Sequence, residues 1–139
     1  MILSKLIIFF LFSFIYILAS HSIKVALCTM GKKENLYVKE FVEYYLKLGV
    51  DKIFIYDDNE PNGEKIIDVI DSSYKKVIIF NNIKKKIKRQ SQAYNDCYKN
   101  NKNNFDWFLM IDMDEFLVIV NDTLKHYLSK NIFNKCDFI

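Results

Sequence analysis

The residues best suited to chemistry in this sequence are acids. Asp112-Met113-Asp114-Glu115 follows directly on the apolar run Trp107-Phe108-Leu109-Met110-Ile111. In an extended segment alternate side chains point the same way, so Asp112 and Asp114 are expected to share one face and one ligand. Two hard carboxylates at a strand end suit Mg²⁺ or Mn²⁺, which completes its shell with water and substrate phosphates. The triplet alone is weak, because with 11 Asp in 139 residues Asp-x-Asp arises roughly once by chance. Position is the stronger signal. The most apolar run in the chain leads into three acids within four residues, and carboxylates so close repel unless a cation or basic groups offset them. A surface turn is the plain alternative.

A second acidic pair, Asp57-Asp58, ends the run Lys52-Ile53-Phe54-Ile55-Tyr56. A carboxylate there can accept hydrogen bonds from a ribose hydroxyl or a base edge, although Asp57 to Gly63 also has the composition of an ordinary turn. Arg89, the only arginine, suits bidentate phosphate binding or a plain exposed charge. His21 and His126 have no matching ligand set, and His126 is expected to be structural. The chain lacks Gly-x-Gly-x-x-Gly, a Walker loop, Cys-x-x-Cys and Gly-x-Ser-x-Gly, which argues against dinucleotide, P-loop, zinc and hydrolase readings.

Strands and helices alternate along the chain to position these acids. Ile23–Cys28, Lys52–Tyr56, Lys76–Phe80 and Phe105–Ile111 read as strands. Glu34–Leu48 places Val38, Phe41, Val42, Tyr45 and Leu48 on one helix face, with Gly49 as a stop. Glu64–Ile70 reads as a short helix, and Ser91–Lys99 as a longer one with Ala93, Tyr94, Cys97 and Tyr98 inward. Glu115–Val120 reads as a further extended run, leading to a helix over Thr123–Lys130 capped by Asn121 or Asp122. Asp137–Ile139 resembles the start of one more strand. This rhythm, with strands that are continuous apolar runs, predicts an α/β fold: a mostly parallel sheet with helices on both faces. Ligands then bind beyond the carboxyl ends of the strands, at Thr29–Lys33, Asp57–Glu60, Asn81-Asn82 and Asp112–Glu115.

A chain of 139 residues that is 51% hydrophobic allows one domain and excludes disorder. The net charge of +3 is too balanced for a dedicated nucleic-acid binder. The one basic cluster, Lys84 to Arg89, is either a solvated loop or a field that attracts a phosphorylated ligand. At the amino end, Lys5 precedes thirteen uncharged residues, Leu6–Leu18, and then Ala19-Ser20-His21-Ser22. As a helix, that run rises roughly 20 Å against a hydrocarbon core of ~30 Å, so residues 1–22 read as a signal peptide or a short signal anchor. Residues 23–139 form the remaining domain, without repeats or a linker. The sequon Asn121-Asp122-Thr123 adds weak support for a lumenal location. Cys28, Cys97 and Cys136 allow one disulfide of unreadable pairing, or three buried thiols.

The blocks Val25-Ala-Leu-Cys-Thr-Met-Gly-Lys-Lys-Glu-Asn-Leu36 and Glu40-Phe-Val-Glu-Tyr-Tyr-Leu-Lys-Leu-Gly49 resemble the opening of family 92 and related family 2 glycosyltransferases. Ile53–Asn59, Gln92–Cys97 and the Asp-x-Asp-Glu-Phe segment Trp107–Leu117 continue the likeness in order. The resemblance implies the Rossmann-like, nucleotide-binding amino-terminal half of a type-A glycosyltransferase fold, with Mn²⁺ or Mg²⁺ as cofactor. By that implication Asp114 ligates the metal, and Asp112 touches metal or ribose. Thr29 with Asp57 or Asp58 lines the nucleoside pocket, and Arg89, Gln92 and Asn95 flank the phosphates. It also implies a UDP-sugar donor, with galactose favoured, and a glycan or glycoconjugate acceptor. The location implied is a single-pass protein of the Golgi or ER, held through residues 6–18, or secreted if the leader is removed. No nucleic acid is implied.

The chain departs from the family pattern by ending about 25 residues after Asp114, so no residue matches the general base of the acceptor half. The expectation is a nucleotide-binding half that does not complete transfer alone. Two other classes compete. A phosphatase of the haloacid dehalogenase type also sets Asp-x-Asp after an apolar strand, but on its first strand and without Glu115-Phe116. A non-catalytic pseudoenzyme or secretory binding module would share the nucleotide site, and only turnover separates it from an enzyme.

Overall fold

The structure, a computed structural model, describes residues 22–70, 72–81 and 88–133. Its strands are β1 (Val25–Gly31), β2 (Lys52–Asp57), β3 (Val77–Phe80) and β4 (Trp107–Met110). Its α-helices are α1 (Val38–Leu48), α2 (Arg89–Asn101) and α3 (Leu124–Leu128), with 3-10 turns at Ile66–Asp68 and Asn131–Phe133. The strands form one parallel sheet in the order β3-β2-β1-β4.

Alternation along the two central strands divides the core. Val25, Leu27, Ile53 and Ile55 pack with Val38, Phe41, Val42 and Tyr45 of α1. Ala26, Cys28, Phe54 and Tyr56 pack on the opposite face with Ala93 and Cys97 of α2. Both faces of β1 and β2 are therefore covered by helices, which is why those strands read as unbroken apolar runs. Gly49 ends α1 at φ 110°, a left-handed conformation that costs glycine little. Cys28 and Cys97 form a disulfide, with their Cα atoms 6.3 Å apart, that fastens α2 to β1.

Several sequence expectations are corrected. Helix α1 starts at Val38 because Asn35–Tyr37 forms a turn in which the Tyr37 and Val38 amides donate to the Glu34 carbonyl. The helix expected over Glu64–Ile70 shrinks to the 3-10 turn. Helix α3 is capped by Thr123, whose hydroxyl accepts from the His126 amide at 3.2 Å, rather than by Asn121 or Asp122. Asp122 instead pairs with His126 and Lys130, each at 2.6 Å.

Glu115–Val120 joins no strand among the described residues. Its main chain bonds to α1 side chains: the Tyr44 hydroxyl donates to the Leu117 carbonyl and the Tyr45 hydroxyl to the Glu115 carbonyl, while the Leu117 amide donates to Tyr45 Oη. Leu117 and Ile119 pack on the core, whereas Val118 and Val120 are 74% and 75% exposed. Residues 1–21, Lys84–Ile87, Cys136 and the strand expected at Asp137–Ile139 lie outside the described residues. Among those described, no helix is long and apolar enough to cross a membrane.

Candidate functional site

The strand order 3-2-1-4 reverses between β1 and β4, and the crevice outside that reversal is where open parallel α/β sheets bind ligands. Asp112 lies two residues beyond the end of β4, against the end of β1. The Ile111 amide still donates to the Cys28 carbonyl, and the chain then turns, the Glu115 amide donating to the Asp112 carbonyl at 3.1 Å. The segment is thus a turn and not the extended run from which a shared face for Asp112 and Asp114 was read. Met113 is buried at the centre of the turn, and Asp114 is exposed. A Cβ on Gly31 would stand 2.6 Å from the Met113 sulfur, so the glycine at the end of β1 lets the acidic turn seat closely.

Helix α2 holds Asp112 from the other side. Tyr94 Oη donates to Asp112 Oδ1 at 2.8 Å, and Gln90 Nε2 donates to the same oxygen at 2.5 Å. Burial, and then the bond to Asp112, pushes the Tyr94 hydroxyl up to about 12, so it stays a donor at any working pH. Oδ2 of Asp112 takes no hydrogen bond among the described residues, and neither Asp112 nor Asp114 has an ion-pair partner among them.

The other expected site residues divide by their partners. Thr29 is fully buried, and its hydroxyl oxygen lacks a partner among the described residues. Asp57 is also buried, but its two oxygens accept from the amides of Asn59 and Ile66, both at 2.9 Å, and so shape the loop. Asp58 pairs with Arg89, joining β2 to the start of α2. Gln92 is half-buried on α2. Asn95 is exposed, with its amide turned back to the Ser91 carbonyl. The residues of α2 that touch Asp112 are Gln90 and Tyr94.

Beside this rim, the loops after β1 and β2 enclose a cleft of about 270 Å³ lined by Lys32, Lys33, Asn59, Glu60, Gly63 and Glu64. The Lys33 amide donates to Asn59 Oδ1 at 2.7 Å, and Asn59 Nδ2 is buried without a partner among the described residues. Both loops were named from sequence as strand ends, but Lys33 and Asn59 were not singled out. The signal that would have found Gln90 and Tyr94 is their four-residue spacing, which puts both on one helix face. Among the described residues no group of three or more His, Cys, Asp or Glu is arranged around one point to hold a metal. Any cation here would rest on two carboxylates, with water or ligand oxygens completing its shell.

A parallel sheet with helices on both faces and acids at its switch point defines a Rossmann-like α/β fold. The profile of Glycosyltransferase family 92 matches residues 21–133, and the chain belongs to that family. A family 92 protein of Oryza sativa subsp. japonica is 30% identical over 117 residues, covering 80% of this chain and 19% of that protein. One from Ricinus communis is 30% identical over 95 residues, covering 67% and 17%. One from Arabidopsis thaliana is 28% identical over 109 residues, covering 78% and 19%. The chain thus spans about a fifth of the length of these curated relatives. No solved structure matches it significantly.

Proposed function

We propose that the rim formed by the ends of β1, β2 and β4 is the donor site of a nucleotide-sugar-dependent glycosyltransferase. The proposed donor is a UDP-sugar, with galactose first in line, and the acceptor a glycan or glycoconjugate. The observation that carries this reading is the Asp112–Asp114 turn, seated on Gly31 at the switch point of a family 92 chain. Its donor chemistry fits Mn²⁺ or Mg²⁺: two hard carboxylates suit an ion whose shell water and phosphate oxygens ordinarily complete. Asp114 and Asp112 would hold the ion, which when bound offsets the charge of the departing nucleoside diphosphate.

The chain's own residues supply the remaining contacts. Thr29 with Asp57 or Asp58 would line the nucleoside pocket, where the Thr29 hydroxyl and the Asn59 amide are buried without partners among the described residues. The Asp58–Arg89 pair stands at the phosphate side, with its guanidinium already oriented. The apolar stretch at residues 6–18 and the Cys28–Cys97 disulfide both support an oxidising, secretory compartment such as the Golgi or ER lumen.

Isothermal titration of the full chain with UDP, with and without Mn²⁺, tests the reading. The expected result is Mn²⁺-dependent binding that Asp114→Ala abolishes. A folded chain that binds no UDP, or binds it without regard to the metal, overturns it. Glycosyl transfer above an Asp114→Ala background then separates an enzyme from a non-catalytic nucleotide-sugar binder.

A further inference from the structure

We infer that Tyr94 and Gln90 are positioning residues that fix the Asp112 carboxylate for its ligand. The inference rests on the donor-site reading and adds to it two residues outside the acidic turn.

The two donors saturate Oδ1 alone. A carboxylate held by two bonds on one oxygen cannot rotate freely, and its second oxygen accepts no hydrogen bond among the described residues. Both donors are neutral. An Arg or Lys in their place would satisfy the Asp112 charge; an amide and a phenol orient it while leaving that charge to be met by a cation. This distinguishes Asp112 from Asp58, another acid of the rim, which is paired with Arg89.

The donors are themselves fixed. Gln90, Tyr94 and Cys97 stand at positions i, i+4 and i+7 of α2, along one face of the helix. Cys97 is bonded to Cys28, and Cys28 pairs in the sheet with Met110, two residues before Asp112. A closed circuit therefore runs from Asp112 through β4, β1, the disulfide and α2 back to Asp112 Oδ1. The disulfide and the two hydrogen bonds together limit how far α2 can shift or turn relative to Asp112. Outer-shell partners held in this way typically change metal affinity by 10–100-fold when removed.

The test is UDP titration with and without Mn²⁺ for the full wild-type chain, Tyr94→Phe and Gln90→Met. Tyr94→Phe deletes one oxygen, and Gln90→Met changes an exposed side chain. The expected result is that each variant weakens UDP binding in Mn²⁺ about tenfold and leaves metal-free binding within about twofold. Equal weakening with and without Mn²⁺ would mark a merely structural tie and overturn the inference, as would no change in either variant. A wild-type chain that binds no UDP overturns the donor-site reading itself, and the inference with it.

Discussion

Asp57 and Asp112 are both acids at strand ends, yet their neighbours give them opposite tasks. Asp57 spends both oxygens on the amides of Asn59 and Ile66, whereas Asp112 has one oxygen held and the other without a hydrogen bond among the described residues. Asp57→Ala would leave two amides without their charged acceptor, in a place where Asp57 itself is buried. A loss of about 3 kcal/mol of stability is expected in urea unfolding, since hydrogen bonds to charged groups contribute about 1.5–3 kcal/mol each. A loss below about 1 kcal/mol would show that the loop holds without it. Sequence could list Asp57, Asp58, Asp112 and Asp114 as candidates, because acid type and strand-end position are local properties. It could not rank them, because one amide that occupies Asp57 and the cation that pairs with Asp58 come from other segments: the loop at Ile66 and the start of α2.

At the scale of elements, the sheet was legible because burial on both faces leaves its mark in each strand separately. The Glu115–Val120 segment reads as an extended run, and it joins no strand among the described residues. It has the alternation of a strand, but its hydrogen bonds go to Tyr44 and Tyr45 instead of a neighbouring strand, and no local pattern encodes that substitution. The disulfide was illegible for the same cause. Three cysteines permit three pairings, and the choice depends on α2 lying across β1. That bridge spans 69 residues of sequence, and in the chain-entropy account a loop so long contributes about 4 kcal/mol. Cys97→Ala is expected to lower stability by about 2–5 kcal/mol, with dithiothreitol having a comparable effect on the wild-type chain alone. Equal stability of oxidised and reduced wild type in denaturant titrations would contradict this.

The whole molecule is organised around one reversal of strand order. Because β4 returns to the far side of β1, the acidic turn, the orphan Thr29 hydroxyl and the cleft at Lys33 and Asn59 share one rim, although they come from three separate stretches of chain. The alternation of strand and helix made a parallel sheet readable, and the acids at two strand ends made the rim readable. The contact of α2 with Asp112 was not, since it depends on the depth at which that helix is fastened. The most direct measurement is paramagnetic broadening of backbone amide signals by Mn²⁺ in the presence of UDP. The expected result is broadening centred on Asp112–Glu115 and reaching Gly31, Gln90 and Tyr94, and its loss in Asp114→Ala. Broadening centred elsewhere, at Glu60 or Asp122 for example, or spread evenly over the chain, would contradict a donor site at the β1–β4 switch point.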